Sequence, residues 1–330
     1  MPEKEIDESD KSASKEVDYS VVVPVHNSEG TLQELHQRLV EVFKKLGGSW
    51  ELVLVNDYSR DNSWKILQEL ANTNHNITAI NLTNNFGQHN ATMCGLAYAQ
   101  GKYVITMDDD LQNPPEEVSK LVKTINDGKY SAVYGQFIKK RHGLFRDFAS
   151  ELVNKILSRV TGSGYTVTSF RIMHKSLVKK LVKFTQYNVM IDVLIKDTVA
   201  NRDVGHCPVE HHVREIGKSG YSYRKLFWYA INMIFNFTLW PLRLASILGF
   251  LFSFLSAIVG ISLLIYYFRY GISVSGWTSL ILSISFFSGI ILFVLGIIGE
   301  YLGRIFLSIN QKPQYLIKEV IRNGVYENEK

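Results

Sequence analysis

The chain has 330 residues, a formal net charge of +5 and only two cysteines, Cys94 and Cys207. Two cysteines exclude a disulfide framework and a CxxC metal site, and such scarcity is typical of a reducing compartment. The length predicts one sizeable domain with an appendage. The excess of positive charge favours phosphates or lipid headgroups as partners over nucleic acid, because no nucleic-acid-binding motif is present.

The N-terminal segment, residues 1–18, is polar and acidic. It carries seven acids and three bases, a net charge of −4, which leaves +9 on the rest of the chain. It lacks the apolar core of a signal peptide. We predict a disordered tail.

Strand-like and helix-like segments alternate after this tail. The alternation predicts an α/β domain over residues 19–220 with a doubly wound, mostly parallel sheet. Neither GxGxxG nor GxxxxGK[ST] follows a strand, which argues against classical dinucleotide binding and P-loop chemistry. The predicted strands are 19–25, 51–55, 77–82, 103–107 and 132–135, and the predicted helices are 31–46, 61–71, 89–99 and 115–126.

An acidic cluster follows the fourth predicted strand. Asp108, Asp109 and Asp110 come after the apolar run YVITM, and residues 113–116 (NPPE) have the pattern of a helix start with Asn at the cap. The cluster then lies at the carboxyl edge of the sheet, where ligands bind. Because residues two apart on extended chain share a face, Asp108 and Asp110 are predicted to converge on Mg²⁺ or Mn²⁺ bridging a diphosphate. The alternative is that these acids only cap the next helix.

Two uncharged apolar runs, residues 245–268 and 274–299, each have the roughly 20 residues that a membrane crossing needs. The short connector predicts a two-helix transmembrane hairpin over residues 244–300. Arg243 and Arg304 flank the pair and only Arg269 lies between, which places both ends and residues 301–330, a predicted tail, in the cytoplasm. The expected location is therefore the plasma (inner) membrane of the cell.

The segment before the hairpin, residues 221–243, is dense in aromatic side chains. This composition is typical of an amphipathic helix in the headgroup layer. An ordinary core helix that packs on the domain is the alternative.

Four motifs, VVVPVHNSEGTL, LVLVNDYSRDNS, NFGQHNATMCGLAYAQGKYVITMDDDLQNPPEE and GEYLGRIF, resemble those of family 2 glycosyltransferases of GT-A fold. More narrowly, they are similar to bacterial polyprenyl-phosphate glycosyltransferases, such as the bactoprenol glucosyltransferases and the undecaprenyl-phosphate 4-deoxy-4-formamido-L-arabinose transferases. The resemblance implies a metal-dependent, inverting transfer of a sugar from a UDP-sugar to a polyprenyl phosphate, in cell-envelope glycan modification. It leaves open which sugar is transferred and whether the protein is a homo-oligomer.

The resemblance also implies roles for individual residues. Asp108 and Asp110 are implied as catalytic metal ligands, with Gln112 as a further ligand, and Asp57 as the contact to uracil. Basic residues are implied to bind the acceptor phosphate, although each of them alone also fits an ordinary solvated surface charge. The nucleotide-sugar set is Pro24, Val25, Asn27, Asp57 and Asp109; the catalytic arginines are Arg141 and Arg146; and the acceptor-phosphate set is Lys140, Arg171, Arg214 and Lys218.

The chain departs from the family pattern at three positions. Asn56 replaces the first of two acids, Tyr58 replaces a glycine, and Ser169 stands where an acid often precedes Phe-Arg. We therefore assign no carboxylate base, since a lipid phosphate with a second pKa near ~6 is already nucleophilic. A degenerate lipid-binding subunit stays an alternative. A processive polysaccharide synthase is a weaker one, because the QxxRW motif is absent.

Overall fold

The computed structural model describes residues 17–137, 168–186, 189–210, 240–270, 276–309 and 313–327. Most of the predicted interfacial segment, residues 221–239, lies outside the described residues. So do five predicted site residues, namely Lys140, Arg141, Arg146, Arg214 and Lys218.

Strands and helices alternate through the first half of the chain, in the predicted order and within three residues of the predicted bounds. Strands β1–β5 are Tyr19–Val25, Trp50–Asn56, Ile77–Leu82, Tyr103–Thr106 and Ala132–Phe137. Helices α1–α4 are Leu32–Leu46, Ser63–Thr73, Gln88–Tyr98 and Val118–Gly128. The strands form from β-branched, apolar runs that are buried, as in β3, where all six residues are buried.

Further elements follow that the sequence did not predict. They are β6 (Arg171–His174), α5 (Lys175–Leu181), α6 (Ile191–Thr198) and β7 (Val204–Val209), and, after two long helices, β8 (Ile317–Arg322) and β9 (Val325–Glu327). The described strands form one mixed sheet in the order β7-β5-β6-β4-β1-β2-β3-β8-β9. The pairs β1–β2, β1–β4, β2–β3 and β5–β7 are parallel, whereas β6 and β8 run antiparallel to their neighbours.

Helices cover both faces of this sheet, which confirms the predicted α/β class. Helices α1, α2 and α4 contribute to one hydrophobic cluster, and α3, α5 and α6 contribute to the cluster on the other face. The amphipathic α1 buries Leu35, Leu39 and Phe43 at helical spacing. With both faces covered, the strand ends at the carboxyl edge are left for a site.

The predicted bounds of the two terminal tails are wrong, because residues next to the domain at both ends of the chain belong to it. Strand β8 pairs with β3, and Val320 and Ile321 are buried at 2% and 0% exposure, so residues 313–327 complete the sheet. At the other end, the Lys102 N–H donates to the Val17 carbonyl, and the Asp18 N–H donates to the Ser49 carbonyl. Both residues therefore belong to the folded domain.

Two long helices, α7 (Trp240–Tyr270) and α8 (Trp277–Ile309), form a unit separate from the sheet domain. Phe252 of α7 meets Phe286 of α8 edge to face, with ring centroids 5.7 Å apart. Among the described residues, one stretch, Phe286–Gly303, has the length and composition for a membrane crossing. The predicted pair of spans is thus not confirmed by this criterion.

Replacing a buried β8 residue tests whether the C-terminal strand is integral to the domain. Ile321→Ala is expected to lower the free energy of unfolding by about 2–4 kcal/mol, because it leaves a cavity in the core. Val325→Ala is the control, since Val325 of β9 is 58% exposed, and its effect is expected to stay within about 0.5 kcal/mol. Denaturant unfolding of the purified protein measures both; equal effects would contradict the packing of β8.

Candidate active site

A cleft of about 280 Å³ lies where β1, β2 and β4 end. Because these strands are parallel, their carboxyl ends meet at one edge of the sheet. The cleft includes six of the predicted site residues: Pro24, Val25, Asp57, Asp108, Asp109 and Asp110. His26, Asn85, Gly87 and Gln88 complete its lining.

The acidic cluster lies in a turn rather than on extended chain. Strand β4 ends at Thr106, and Leu111 has a positive φ of 59°. The extended chain on which the predicted convergence of Asp108 and Asp110 was based is therefore wrong. All three acids nevertheless line the cleft.

Neighbouring groups fix each acid of the cluster. Asp108 accepts hydrogen bonds from the Gln88 side-chain amide and from the Ser169 hydroxyl, the latter at 2.6 Å. Asp109 accepts the His26 N–H at 3.0 Å. The Gln112 N–H donates to Asp110 at 3.2 Å, while the Gln112 side chain does not line the cleft.

Burial and mutual repulsion destabilise the ionised forms of the clustered acids. Burial raises the pKa of Asp108 to about 6, and the charges of Asp110 and Asp109 contribute to the rise, while the hydrogen bond from Ser169 and the charge of Arg171 oppose it. Burial also raises the pKa of Asp109. A cation placed among these groups would relieve both the repulsion and the desolvation.

The donor set fits a divalent metal that arrives with a ligand. Among the described residues, no three or more His, Cys, Asp or Glu side chains form a complete metal cage. Mg²⁺ and Mn²⁺ suit one or two carboxylates and take their remaining ligands from water and substrate phosphates. Asp108 and Asp110 at an open cleft match that requirement.

Asp57 anchors the loop that enters α3. Its carboxylate accepts the N–H groups of Phe86 and Gly87 at 2.7 and 2.9 Å, and the residue is 3% exposed. Burial raises the pKa of Asp57, and these two hydrogen bonds oppose the rise. Its predicted contact to a base stays a prediction.

Asn27 organises a loop instead of lining the cleft. It has a positive φ of 55°, its N–H donates to the Ser59 hydroxyl at 3.0 Å, and its side-chain oxygen accepts the Arg60 N–H at 2.7 Å. It therefore ties the end of β1 to the loop after β2.

Asn113 is not a helix cap as expected. Pro114 precedes a 3₁₀ turn, Pro115–Glu117, and α4 begins after it. Asn113 is 3% exposed, and its side-chain oxygen has no hydrogen-bond partner within the described segments. The turn chemistry of the two prolines decides where the helix starts.

Arg171 is buried, which contradicts its predicted role as an acceptor-phosphate ligand. It is 2% exposed, its guanidinium pairs with Asp192, and its Nε donates to the Thr106 hydroxyl at 3.1 Å. The guanidinium also lies over the ring of Tyr134, 5.6 Å from its centroid. Because these buried partners bind the guanidinium, Arg171 stabilises the acidic cluster from within the protein and does not face a lipid.

Sequence reasoning assigned no role to several residues of the site. His26, Asn85, Gly87 and Gln88 line the cleft, and Ser169 holds Asp108. A signal for them was present, because the NFGQHN segment follows a strand at the same sheet edge, and Gly87 takes a positive φ of 85° that favours glycine.

Comparison with known proteins identifies the family. The profile of glycosyl transferase family 2 matches residues 20–183. Undecaprenyl-phosphate 4-deoxy-4-formamido-L-arabinose transferase from Proteus mirabilis (strain HI4320) is 34% identical over 307 residues, which cover 92% of this chain and 93% of that protein. The chain belongs to glycosyl transferase family 2. The resemblance seen in the sequence is thus confirmed, and this protein is a glycosyltransferase.

A solved structure supports the fold of this glycosyltransferase. Glucosyl-3-phosphoglycerate synthase from Mycobacterium tuberculosis, in complex with Mn²⁺, uridine diphosphate and phosphoglyceric acid, matches with a TM-score of 0.51 at 16% identity, over 66% of this chain and 76% of that one. S. aureus TarS residues 1–349 in complex with UDP-GlcNAc has a TM-score of 0.44 at 19% identity, over 68% and 67% of the two chains. At 16% identity the first structure establishes only the fold. The TM-score of the second is below 0.5, so it supports no conclusion.

The raised pKa of Asp108 predicts a dependence of stability on pH in the metal-free glycosyltransferase. The folded pKa of about 6 exceeds the unfolded value of 3.8, so folding favours the protonated acid, and this contribution is lost as the pH rises from 3.8 through 6. In EDTA at pH 7.5, Asp108→Asn is expected to raise the free energy of unfolding by about 1–3 kcal/mol. The gain is expected to shrink at pH 5.

Urea unfolding at both pH values measures this change. Asp127→Asn is the control, because Asp127 is an exposed carboxylate on α4, and it is expected to change stability little at either pH. A destabilised Asp108→Asn at pH 7.5 would contradict the electrostatic account of the cluster.

Proposed function

We propose that this glycosyltransferase transfers a sugar from a UDP-sugar to a polyprenyl phosphate, such as undecaprenyl phosphate, at the cytoplasmic face of the membrane. The observation that carries the proposal is the three-carboxylate cleft at the sheet edge of a family 2 chain. The Proteus mirabilis relative, which matches 92% of this chain, is named for an undecaprenyl-phosphate acceptor. The fold neighbour with Mn²⁺ and uridine diphosphate supports the donor class.

The cofactor in this proposal is Mg²⁺ or Mn²⁺. Asp108 and Asp110 would hold the ion, and the bound ion would supply charge neutralisation for the departing diphosphate. Gln112, predicted as a further ligand, is left out because its side chain does not line the cleft. The hydroxyl of Ser169 and the amide of Gln88 orient Asp108. Orientation of the carboxylate in advance lowers the reorganisation that binding requires.

The donor nucleotide is assigned to the side of the cleft formed by the ends of β1 and β2. Pro24 and Val25 offer an apolar wall there, and Asp57 lies beside them. Asn27 is assigned to the same side through the loop that it organises, and Asp109 connects this side to the acidic cluster through the His26 N–H.

The acceptor phosphate acts as the nucleophile. Its second pKa near ~6 leaves it largely ionised at neutral pH, so attack on the anomeric carbon, with inversion, needs positioning and not a strong base. The basic residues proposed to position it are Lys140, Arg141, Arg146, Arg214 and Lys218, all outside the described residues. Arg171 is left out of this set because it is buried.

Helices α7 and α8 are proposed as two membrane spans, with residues 221–243 at the headgroup layer. Strand β7 precedes this pair and β8 follows it, and both strands belong to one sheet. A chain that leaves a folded domain, crosses a membrane and returns to the same domain must cross an even number of times. Two long helices joined by a short connector satisfy this requirement.

Product analysis tests the reaction. Purified protein is incubated with undecaprenyl phosphate and a panel of UDP-sugars, with Mg²⁺ or Mn²⁺, and the lipid product is identified by mass spectrometry. Asp110→Asn is expected to reduce transfer by at least a hundredfold while leaving the unfolding transition nearly unchanged, because it removes a charged ligand rather than a packing group. Exposed Asp127→Asn is the control. Full activity in excess EDTA would refute the metal-dependent mechanism.

Cysteine labelling tests the two-span topology. The native Cys94 and Cys207 are buried, so their background labelling is expected to be low. An impermeant maleimide is expected to label Ser273→Cys from outside intact cells, and to label Ser12→Cys only after the cells are broken. The opposite pattern, or labelling of Ser12→Cys in intact cells, would rule out the proposed orientation.

A further inference from the structure

A row of polar side chains crosses the sheet at the nucleotide side of the cleft. In the strand register, Val25 of β1 faces Asn56 of β2, Asn56 faces Asn81 of β3, and Asn81 faces Glu319 of β8. The register between β3 and β8 shifts directly after the Asn81–Glu319 pair. Such an irregularity changes the direction of the side chains at the end of a strand pair.

These side chains form a continuous chain of hydrogen bonds. The Ser59 N–H donates to Asn56 Oδ1 at 3.2 Å, Asn56 Nδ2 donates to Asn81 Oδ1 at 2.8 Å, and Asn81 Nδ2 donates to Glu319 Oε1 at 3.0 Å. A backbone N–H can only donate, and a carboxylate can only accept. The fixed donor at one end and the fixed acceptor at the other therefore determine the orientation of both asparagine amides.

The chain of bonds ends in the loop after β2, next to Asp57, which lines the cleft. The Ser59 hydroxyl accepts the N–H of Asn27, and the Asp57 N–H donates to the Val25 carbonyl at 2.8 Å. Between Asn56 and Ser59, Tyr58 has a positive φ of 56°, which a non-glycine residue adopts only when its surroundings hold it there. The bond from Ser59 to Asn56 closes this strained turn.

Burial makes the row sensitive to the direction of its hydrogen bonds. Asn56 is 2% exposed and Asn81 is 6% exposed, so a donor or acceptor that loses its partner has little access to water. An arrangement in which two hydrogen-bond acceptors of this row face each other is unfavourable for the same reason.

We propose that Asn56, Asn81 and Glu319 are positioning residues for the nucleotide, so that donor affinity depends on the C-terminal strand β8. The inference rests on the proposed use of a UDP-sugar. It explains why an amide suits position 56: the amide donates toward Asn81, and Glu319 accepts at the far end.

Substitution of Asn56 by aspartate removes the donor at the middle of the row. In Asn56→Asp, residue 56 still accepts the Ser59 N–H but no longer donates, so the Asn81 amide must turn and present its oxygen to Glu319. Two acceptors then oppose each other. Glu319→Gln supplies a donor at that point. The bonds from residue 56 to 81 and from 81 to 319 then form in the reverse direction, and the bond from the Ser59 N–H is unchanged.

Uridine diphosphate binding to the full-length protein in detergent, with Mn²⁺, tests this reversal by calorimetry. Asn56→Asp is expected to weaken binding about tenfold, which corresponds to a lost buried hydrogen bond. Glu319→Gln alone is expected to change binding less than about twofold, because its amide oxygen still accepts. The double variant is expected to return to within about threefold of the wild type.

The kinetic signature is a raised KM for the donor with unchanged kcat and unchanged KM for the lipid acceptor. A merely structural role would lower the melting temperature without changing the nucleotide affinity of the folded protein. Wild-type affinity in Asn56→Asp, or a double variant that binds no better than Asn56→Asp, would overturn the proposal. A wild-type protein that does not bind uridine diphosphate would overturn the proposed function and this inference with it.

A second pair of variants covers the case in which Asn56→Asp does not fold. Asn81→Asp keeps the bond from Asn56 but sets a carboxylate against Glu319, and Glu319→Gln relieves that contact. Weaker nucleotide binding in Asn81→Asp, restored in Asn81→Asp with Glu319→Gln, is the expected result. Unchanged binding in both variants would refute the link between β8 and the cleft.

Discussion

The concentration of negative charge after β4 is the constraint around which the site is arranged. Asp108 is held by Gln88 on one oxygen and by Ser169 on the other, and its neighbours in sequence carry the same charge. Folding keeps these groups together at the meeting point of three parallel strands, where they repel. A cation placed there would meet oxygen ligands that the folded domain already holds in position.

Beneath this cluster, a second set of contacts links it to the interior. The Thr106 hydroxyl donates to the Ser169 carbonyl at 2.6 Å, and Arg171 donates to the same hydroxyl while it pairs with Asp192. Buried ion pairs of this type contribute little net stability, but loss of one partner costs about 3–5 kcal/mol. The antiparallel β6, which carries Arg171, and Ser169 just before it thus connect α6 to Asp108.

Local pattern was enough to predict β1–β5, α1–α4 and the sheet edge at which Asp57 and Asp108 meet, because these depend on periodicity and on the geometry of parallel strands. Other features depend on residues that are distant in sequence. Arg171 resembles a surface base until Asp192 is found beside it. Asn56 and Asn81 resemble ordinary strand ends, and β8 is a short segment rich in charge whose partner is β3. None of these pairings leaves a periodic signal.

The pairing of β3 with β8 also constrains how the domain is made. Asn81 and Glu319 are 238 residues apart, so the last strand becomes available only after both long helices have been synthesised. Until then, β3 is an open edge whose residues are mostly apolar, and open edges of this kind favour pairing with other chains. High contact order slows folding as well. Completion of the sheet therefore waits for the whole chain, and a polypeptide that stops within α8 exposes an aggregation-prone strand.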